Sequence, residues 1–247
     1  MPRIYLSPST QEYNPYVTGN GSEEYFMNLV ADAMEPYLLA NGIQFSLNTP
    51  DMTAASSIRQ ANRGDYDFYL ALHSNASGPG SQGQNRGIIA FYYPTSRQGK
   101  RAATIIADGL KAIYPLPNLV RAEATTAIGE VRRTRAPSVL LELAFHDNAA
   151  DAAWIKNNLD SVARNLVLSL TEYFNIPFFE QEHLRSAVVD VDWGALNLRA
   201  QPSQDAPVLT QIPDGAALTL RNQYQNWYLT EYNGITGYID GRYASLN

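Results

Sequence analysis

Asp67-Phe68-Tyr69-Leu70-Ala71-Leu72-His73-Ser74-Asn75 decides the fold. The apolar run from Phe68 to Leu72 reads as a strand buried on both faces of a sheet, and it stops on one ionisable side chain, His73. A second run, Ser138-Val139-Leu140-Leu141, stops on Glu142 and resumes as Leu143-Ala144-Phe145. A carboxylate in so apolar a segment is costly unless a cation, a metal or a proton neutralises it. In open α/β sheets the ligand site lies at the carboxyl ends of the strands, where a histidine and a glutamate closing two such runs would meet. The pair predicts a metal or acid–base site.

Working outward, the chain alternates strand and helix up to about Phe174. Ile4-Tyr5-Leu6 opens it, and a polar loop rich in Asn, Gly and Pro follows from Ser7 to Ser22. Apolar residues then recur at helical spacing (Phe26, Met27, Val30, Met34, Tyr37, Leu38) until Asn41-Gly42 supplies a stop. Residues 43–47 alternate as a strand, and residues 53–63 read as a helix. A Gly-rich loop, residues 78–83, leads into the strand Ile88-Ile89-Ala90-Phe91-Tyr92-Tyr93. Helices over residues 97–113 and 151–173 flank the Glu142 strand. This order predicts an α/β domain, a mainly parallel twisted sheet flanked by helices in the manner of phosphorylase/hydrolase-like folds.

After Phe174 the texture changes. Pro177-Phe178-Phe179 leads into a charged linker, Glu180-Gln181-Glu182-His183, and helical periodicity disappears. Short alternating stretches take over, among them Leu196-Asn197-Leu198-Arg199 and Trp227-Tyr228-Leu229-Thr230. Turn signals such as Pro213-Asp214-Gly215 and Tyr232-Asn233-Gly234 separate them, as in a small all-β barrel. The expected division is residues 1–177 and 184–247.

The 247 residues carry 18 Lys+Arg against 24 Asp+Glu, a net charge of −6, so no basic field exists to hold nucleic acid or anionic lipid. Cysteine is absent, so any transition metal must be held by His, Asp, Glu or neutral oxygens. No apolar stretch approaches the ~20 residues of a membrane span, and Met1-Pro2-Arg3-Ile4-Tyr5-Leu6 opens as a strand without a signal peptide. A monomer with no nucleic-acid or membrane partner is expected.

Three stretches together resemble the zinc-dependent N-acetylmuramoyl-L-alanine amidases of bacterial cell-wall turnover. Residues 67–76 are similar to that family's strand ending in His-x-Asn-Ala, and Pro137-Ser138-Val139-Leu140-Leu141-Glu142 to its Pro-Ala-Val-Leu-x-Glu strand. Glu24-Tyr25-Phe26-Met27-Asn28-Leu29 is similar to its Glu-x-x-Leu-Asn-Leu helix. The resemblance implies His73 and Glu24 as Zn2+ ligands, Glu142 as the catalytic base, and Asn75 and Arg132 as substrate contacts. Residues 184–247 resemble bacterial SH3-like modules through Leu196-Asn197-Leu198-Arg199-Ala200-Gln201-Pro202-Ser203 and Gly234-Ile235-Thr236-Gly237-Tyr238-Ile239. Aromatic residues there, including Trp193, Trp227, Tyr228 and Tyr238, are candidates for stacking on sugars or stem peptides.

One position departs from the family. Its first strand normally ends in Pro-Gly-His-Gly-Gly, whose His is the first zinc ligand, whereas here Ser7-Pro8-Ser9-Thr10-Gln11 follows and Thr10 stands at that place. Gln11 is the nearest side chain offering a neutral oxygen, Glu12 offers a charged one, and His146 lies just past the Glu142 strand. The resemblance thus implies a peptidoglycan hydrolase cleaving the bond between N-acetylmuramic acid and L-alanine, acting at the cell wall or outside the cell and released by lysis. The alternatives are an inactive peptidoglycan-binding relative, or a zinc carboxypeptidase or deacetylase acting on wall components.

Overall fold

The computed structural model describes residues 1–246. The run around Leu70 forms β3 (Phe68–Asn75), which lies between β1 (Arg3–Pro8) and β6 (Ser138–Phe145). With β2 (Gln44–Leu47), β4 (Ile88–Tyr92) and β5 (Val120–Ala124) they make a six-stranded sheet of order β2-β1-β3-β6-β4-β5. The pairs β1/β3, β3/β6 and β4/β5 are parallel, and β4/β6 is antiparallel. A mainly parallel sheet is therefore borne out, with one reversed junction. Phe68, Tyr69, Leu70, Ala71 and Leu72 are all fully buried, as a strand covered on both faces requires.

The helices are α1 (Glu23–Ala40), α2 (Ala54–Arg63), α3 (Arg97–Lys111), α4 (Gly129–Arg132), α5 (Ala149–Asn157) and α6 (Leu159–Phe174). Thr53 caps α2 in a reciprocal box with Ser56, and Asn148 caps α5 by accepting from the Ala150 and Asp151 N–H groups. Where one helix was expected over residues 151–173 there are two. Asn158 leaves helical geometry at φ −129°, ψ 22°, and its side chain donates to the Trp154 carbonyl at 2.7 Å. β5 and α4 were not expected from sequence. β5 is largely exposed and carries Arg121 and Glu123, as an edge strand protected by charge does.

Asp151 ties the far half of this sheet together. Its buried carboxylate accepts from Arg86 Nε at 2.7 Å, Tyr114 OH at 2.7 Å, Gly87 N–H at 3.1 Å and Phe145 N–H at 3.2 Å. Gly87 has φ 118°, and a Cβ there would meet the Leu119 carbonyl oxygen at 2.5 Å, so the approach to β4 needs glycine. The loop over residues 78–83 is tethered rather than loose. Asp147 accepts from the N–H groups of Ser77 and Gly83, and Asn148 Nδ2 donates to the Gly83 carbonyl at 2.6 Å.

The chain divides into two compact units, Arg3–Glu35 with Phe45–Tyr173, and Met1–Pro2 and Pro36–Gln44 with Phe174–Asn247. The end of α1 and its following turn belong to the second unit. There, Phe179 N–H donates to Asn41 Oδ1 at 2.6 Å, Asn41 Nδ2 returns a bond to the Phe179 carbonyl, and Asn222 Nδ2 donates to the Ala40 carbonyl.

The second unit holds an all-antiparallel sheet of β7 (Arg185–Val189), β8 (Ala195–Arg199), β9 (Val208–Pro213), β10 (Ala217–Tyr224), β11 (Trp227–Tyr232), β12 (Ile235–Asp240) and β13 (Ala244–Leu246). Its order is β13-β7-β10-β11-β12-β8-β9. Tyr232 pairs with Ile235 across a two-residue turn in which Asn233 and Gly234 both have positive φ, the Asn-Gly hairpin anticipated from sequence. Alternate residues such as Leu196, Leu198, Leu218, Leu220 and Ile239 fill its core. Tyr228, Trp227 and Tyr238 are buried as well, which removes them as stacking platforms, while Trp193 is 88% exposed.

Candidate active site

β1, β3 and β6 run parallel, so their carboxyl ends meet at one edge of the sheet. Register sets Ser7 beside Ala71 and His73 beside Glu142. Because side chains alternate along a strand, Tyr5, Ser7, Tyr69, Ala71, His73, Leu140 and Glu142 all rise from one face. Tyr5, Tyr69, Ala71 and Leu140 form an apolar cluster with Ala61 of α2 and Val131 of α4. The polar members of the row stand at its open end.

From Glu142 to Phe145 β6 takes three steps, whereas β3 takes two from His73 to Asn75. The extra residue is accommodated near Ala144, which is buried at φ 60°. A left-handed alanine costs roughly 1–3 kcal/mol, and bulges of this kind sit beside sites where a side chain must be re-aimed. Past the bulge the His146 ring is carried away from His73. Its Nδ1 lies 2.9 Å from the Ser74 carbonyl and 3.1 Å from Ser74 Oγ, with the Tyr16 ring stacked on it.

His73 is held between two carboxylates. Its Nδ1 is 2.8 Å from Glu23 Oε1, and its Nε2 is 3.2 Å from Glu130 Oε2. Burial alone would lower its pKa, but the hydrogen bonds and charges of Glu130 and Glu23 raise it to about 10. Glu23 opens α1, where the helix dipole favours an anion. Burial pushes its pKa up, but the His73 bond and charge, with hydrogen bonds from Asn14 and Ser9, outweigh this and leave it below the ordinary range. Asn14 Nδ2 donates to Glu23 Oε2 at 2.7 Å. Glu130, on α4, accepts from Tyr69 OH at 2.6 Å and Ser7 Oγ at 3.2 Å through its other oxygen.

Glu142 differs in kind. Its Oε2 is buried with no hydrogen-bond partner among the described residues. Burial raises its pKa to about 7, the nearby His73 charge opposing this and Glu23 and Glu130 adding to it. Ser7, Gln11, Tyr13, Asn48, His73 and Glu130 are among the residues lining a cleft of about 400 Å³ at this edge.

The structure brings Glu23, and not the expected Glu24, into contact with His73. The Glu24 carboxylate makes no hydrogen bond or ion pair among the described residues, and only its backbone carbonyl is engaged, by Asn28 Nδ2 at 2.8 Å. Gln11 does join the cluster, with its Nε2 at 3.3 Å from His73 Nδ1 and 3.4 Å from Glu23 Oε1. Its oxygen is turned away to accept from Tyr13 OH and Asn14 Nδ2. Asn75 uses Oδ1 to accept from the Ala76 N–H at 2.8 Å. Arg132 is exposed, without an ion pair among the described residues, and Glu12 is exposed as well. Glu130 and Asn14 went unrecognised. Glu130 lies in the one-turn helix α4, too short to show periodicity, and its partners Tyr69 and His73 on β3 and Ser7 on β1 are all distant in sequence.

The family model for N-acetylmuramoyl-L-alanine amidase matches residues 4–172, and that for the bacterial SH3 domain matches residues 194–245. The N-acetylmuramoyl-L-alanine amidase LytC of Bacillus subtilis (strain 168) is 30% identical over 160 residues, covering 62% of this chain and 31% of that protein. The chain therefore spans about a third of the length of that relative. The catalytic domain of CwlV, an amidase from Bacillus (Paenibacillus) polymyxa, superposes at a TM-score of 0.62 with 19% identity, over 72% of this chain and all of that one. CwlD from Clostridioides difficile, solved with the GerS lipoprotein, superposes at 0.61 with 15% identity, covering 71% of this chain and 99% of its own. The family model covers well over half of the chain, residues 4–172, and this chain belongs to the N-acetylmuramoyl-L-alanine amidase family.

Proposed function

We propose that this protein is a peptidoglycan hydrolase that cleaves the amide between the lactyl group of N-acetylmuramic acid and L-alanine, with Glu142 as general base. The observation that carries the reading is the unpartnered Glu142 oxygen on the strand beside His73. A buried carboxylate with a free lone pair and a pKa near neutrality is poised to take a proton from water and return it to the departing nitrogen.

The family is generally zinc-dependent. Among the described residues no three His, Cys, Asp or Glu side chains are grouped to hold a metal. His73 and Glu23 nevertheless supply one imidazole and one carboxylate in contact, and Gln11 supplies an amide, a donor set that fits a divalent ion held more weakly than by two imidazoles. His73 and Glu23 would hold Zn2+, and the Gln11 amide would have to turn from its bonds to Tyr13 and Asn14 to offer its oxygen as third donor. The ion supplies Lewis acidity for the scissile carbonyl and for water. Glu142 moves the proton. Asn75 and Arg132 are proposed to contact the substrate, and no covalent intermediate is needed.

The SH3-like unit is proposed to hold the enzyme on the wall, raising its effective concentration there. No described helix is long and apolar enough to cross a membrane. We take the protein to act as a monomer at the wall or outside the cell. Incubating the zinc-loaded protein with a defined muramoyl-peptide and weighing the products tests the reading. Release of the intact stem peptide with a free L-alanine amine supports it. Loss of a terminal residue or of an acetyl group would instead identify a carboxypeptidase or deacetylase, and no product would mark a binding relative.

A further inference from the structure

His73 offers two nitrogens, and the groups around them are unlike. On the Nδ1 side stand Glu23 Oε1 at 2.8 Å and the Gln11 amide at 3.3 Å. On the Nε2 side stands Glu130 Oε2 alone, at 3.2 Å. Glu130 has little freedom to do anything else. Its Oε1 is already taken by the hydroxyls of Tyr69 and Ser7, which belong to β3 and β1, and it is 5% exposed. Two hydroxyls from two strands thus fix one carboxylate against one ring nitrogen. A histidine that gives one nitrogen to a metal commonly donates its other N–H to a carboxylate, which sets the tautomer, the ring orientation and the basicity of the ligating atom.

We propose that Glu130 is the positioning residue of the metal site: by accepting the Nε2–H of His73 it leaves Nδ1 as the ligating atom, on the side shared with Glu23 and Gln11. This rests on the metal-site reading given above and adds to it a residue and a ring atom. Such support matters more here than in a site with two imidazoles, because His73 is the one nitrogen ligand in the donor set. Glu130 acts through His73 and not on the substrate.

The test uses the full-length protein and zinc alone. Zinc affinity is measured by chelator competition for wild type, Glu130→Gln, Tyr69→Phe and Glu23→Ala, with circular dichroism to verify the fold of each. We expect Glu130→Gln to weaken zinc by about 10- to 100-fold, Tyr69→Phe by a smaller factor, and Glu23→Ala to lose it. The second readout needs no variant. The chain has three histidines, so long-range 1H–15N spectra of the zinc-loaded wild type resolve His73 directly, and they should show a protonated Nε2 with zinc on Nδ1. Zinc on Nε2, or a folded Glu130→Gln that binds zinc as tightly as wild type while Glu23→Ala does not, overturns the inference and leaves the site standing. Zinc affinity equal to wild type in Glu23→Ala overturns the site itself, and the inference with it.

Discussion

Glu142 stands directly beside His73 in the parallel register of β3 and β6, and one oxygen of its carboxylate is buried without a partner. A structural carboxylate in that position would be paired, since leaving it unpaired costs on the order of 1–3 kcal/mol or more. The edge of the sheet keeps this one available. Glu142→Gln, nearly the same in shape, is therefore expected to lower the rate of hydrolysis by about 10²- to 10⁴-fold while zinc affinity and thermal stability hold. Activity within a few-fold of wild type would remove Glu142 from the role of base.

Glu23 and Glu24 provide a sharper discrimination, because only one of them meets His73. Glu23→Ala should abolish turnover and zinc binding together, whereas Glu24→Ala should leave both within about twofold, as surface changes usually do. The reverse pattern would restore the assignment that the sequence suggested.

Asp151 is expected to govern stability rather than chemistry. Replacing it with alanine strands the half-buried Arg86 guanidinium and two backbone N–H groups, and should cost about 3–5 kcal/mol, read as a fall in the denaturant midpoint. A change under 1 kcal/mol would show that water replaces the carboxylate freely.

Asp147 sets a pH dependence. Burial would raise its pKa, but hydrogen bonds from Gly83 and Ser77 outweigh this and hold it below the ordinary value of about 3.9. A carboxylate depressed in the folded state stabilises fully above its unfolded pKa and loses that contribution as pH falls through the folded one. The melting temperature of wild type should therefore exceed that of Asp147→Asn at pH 7, with the gap narrowing only below about pH 4. A gap that persists unchanged to pH 3 would mean that charge is not what holds the residue 78–83 loop.

Among the four named stacking candidates Trp193, Trp227, Tyr228 and Tyr238, Trp193 is the exposed one, so Trp193→Ala should change stability by less than about 0.5 kcal/mol. If the SH3-like unit anchors through it, binding to sacculi falls while cleavage of small muropeptides is spared. Unchanged sacculus binding would assign the anchoring elsewhere.

How much of this was legible in the sequence follows from how local each signal is. His73 and Glu142 announced themselves because each interrupts an apolar run, and burial of the run forces the question of a partner. Glu23 and Glu24 could not be separated that way, since the helix dipole accounts for an acid at either position. What selects Glu23 is the direction in which α1 leaves its loop, with Asn14 seating the other carboxylate oxygen. Glu130 was invisible because its meaning lies in contacts to residues 57 to 123 positions away. The turn at Asn158 and the charged edge strand β5 were missed for a related reason: propensity marks neither, and neighbouring elements decide both.

The most direct measurement is the mass and terminal chemistry of the products formed from a defined N-acetylmuramoyl peptide by the zinc-loaded wild type and by Glu142→Gln. The account predicts the free glycan acid and an intact stem peptide beginning at L-alanine from wild type, and unreacted substrate from the variant. Equal cleavage by the two proteins, or scission at any other bond, would contradict it.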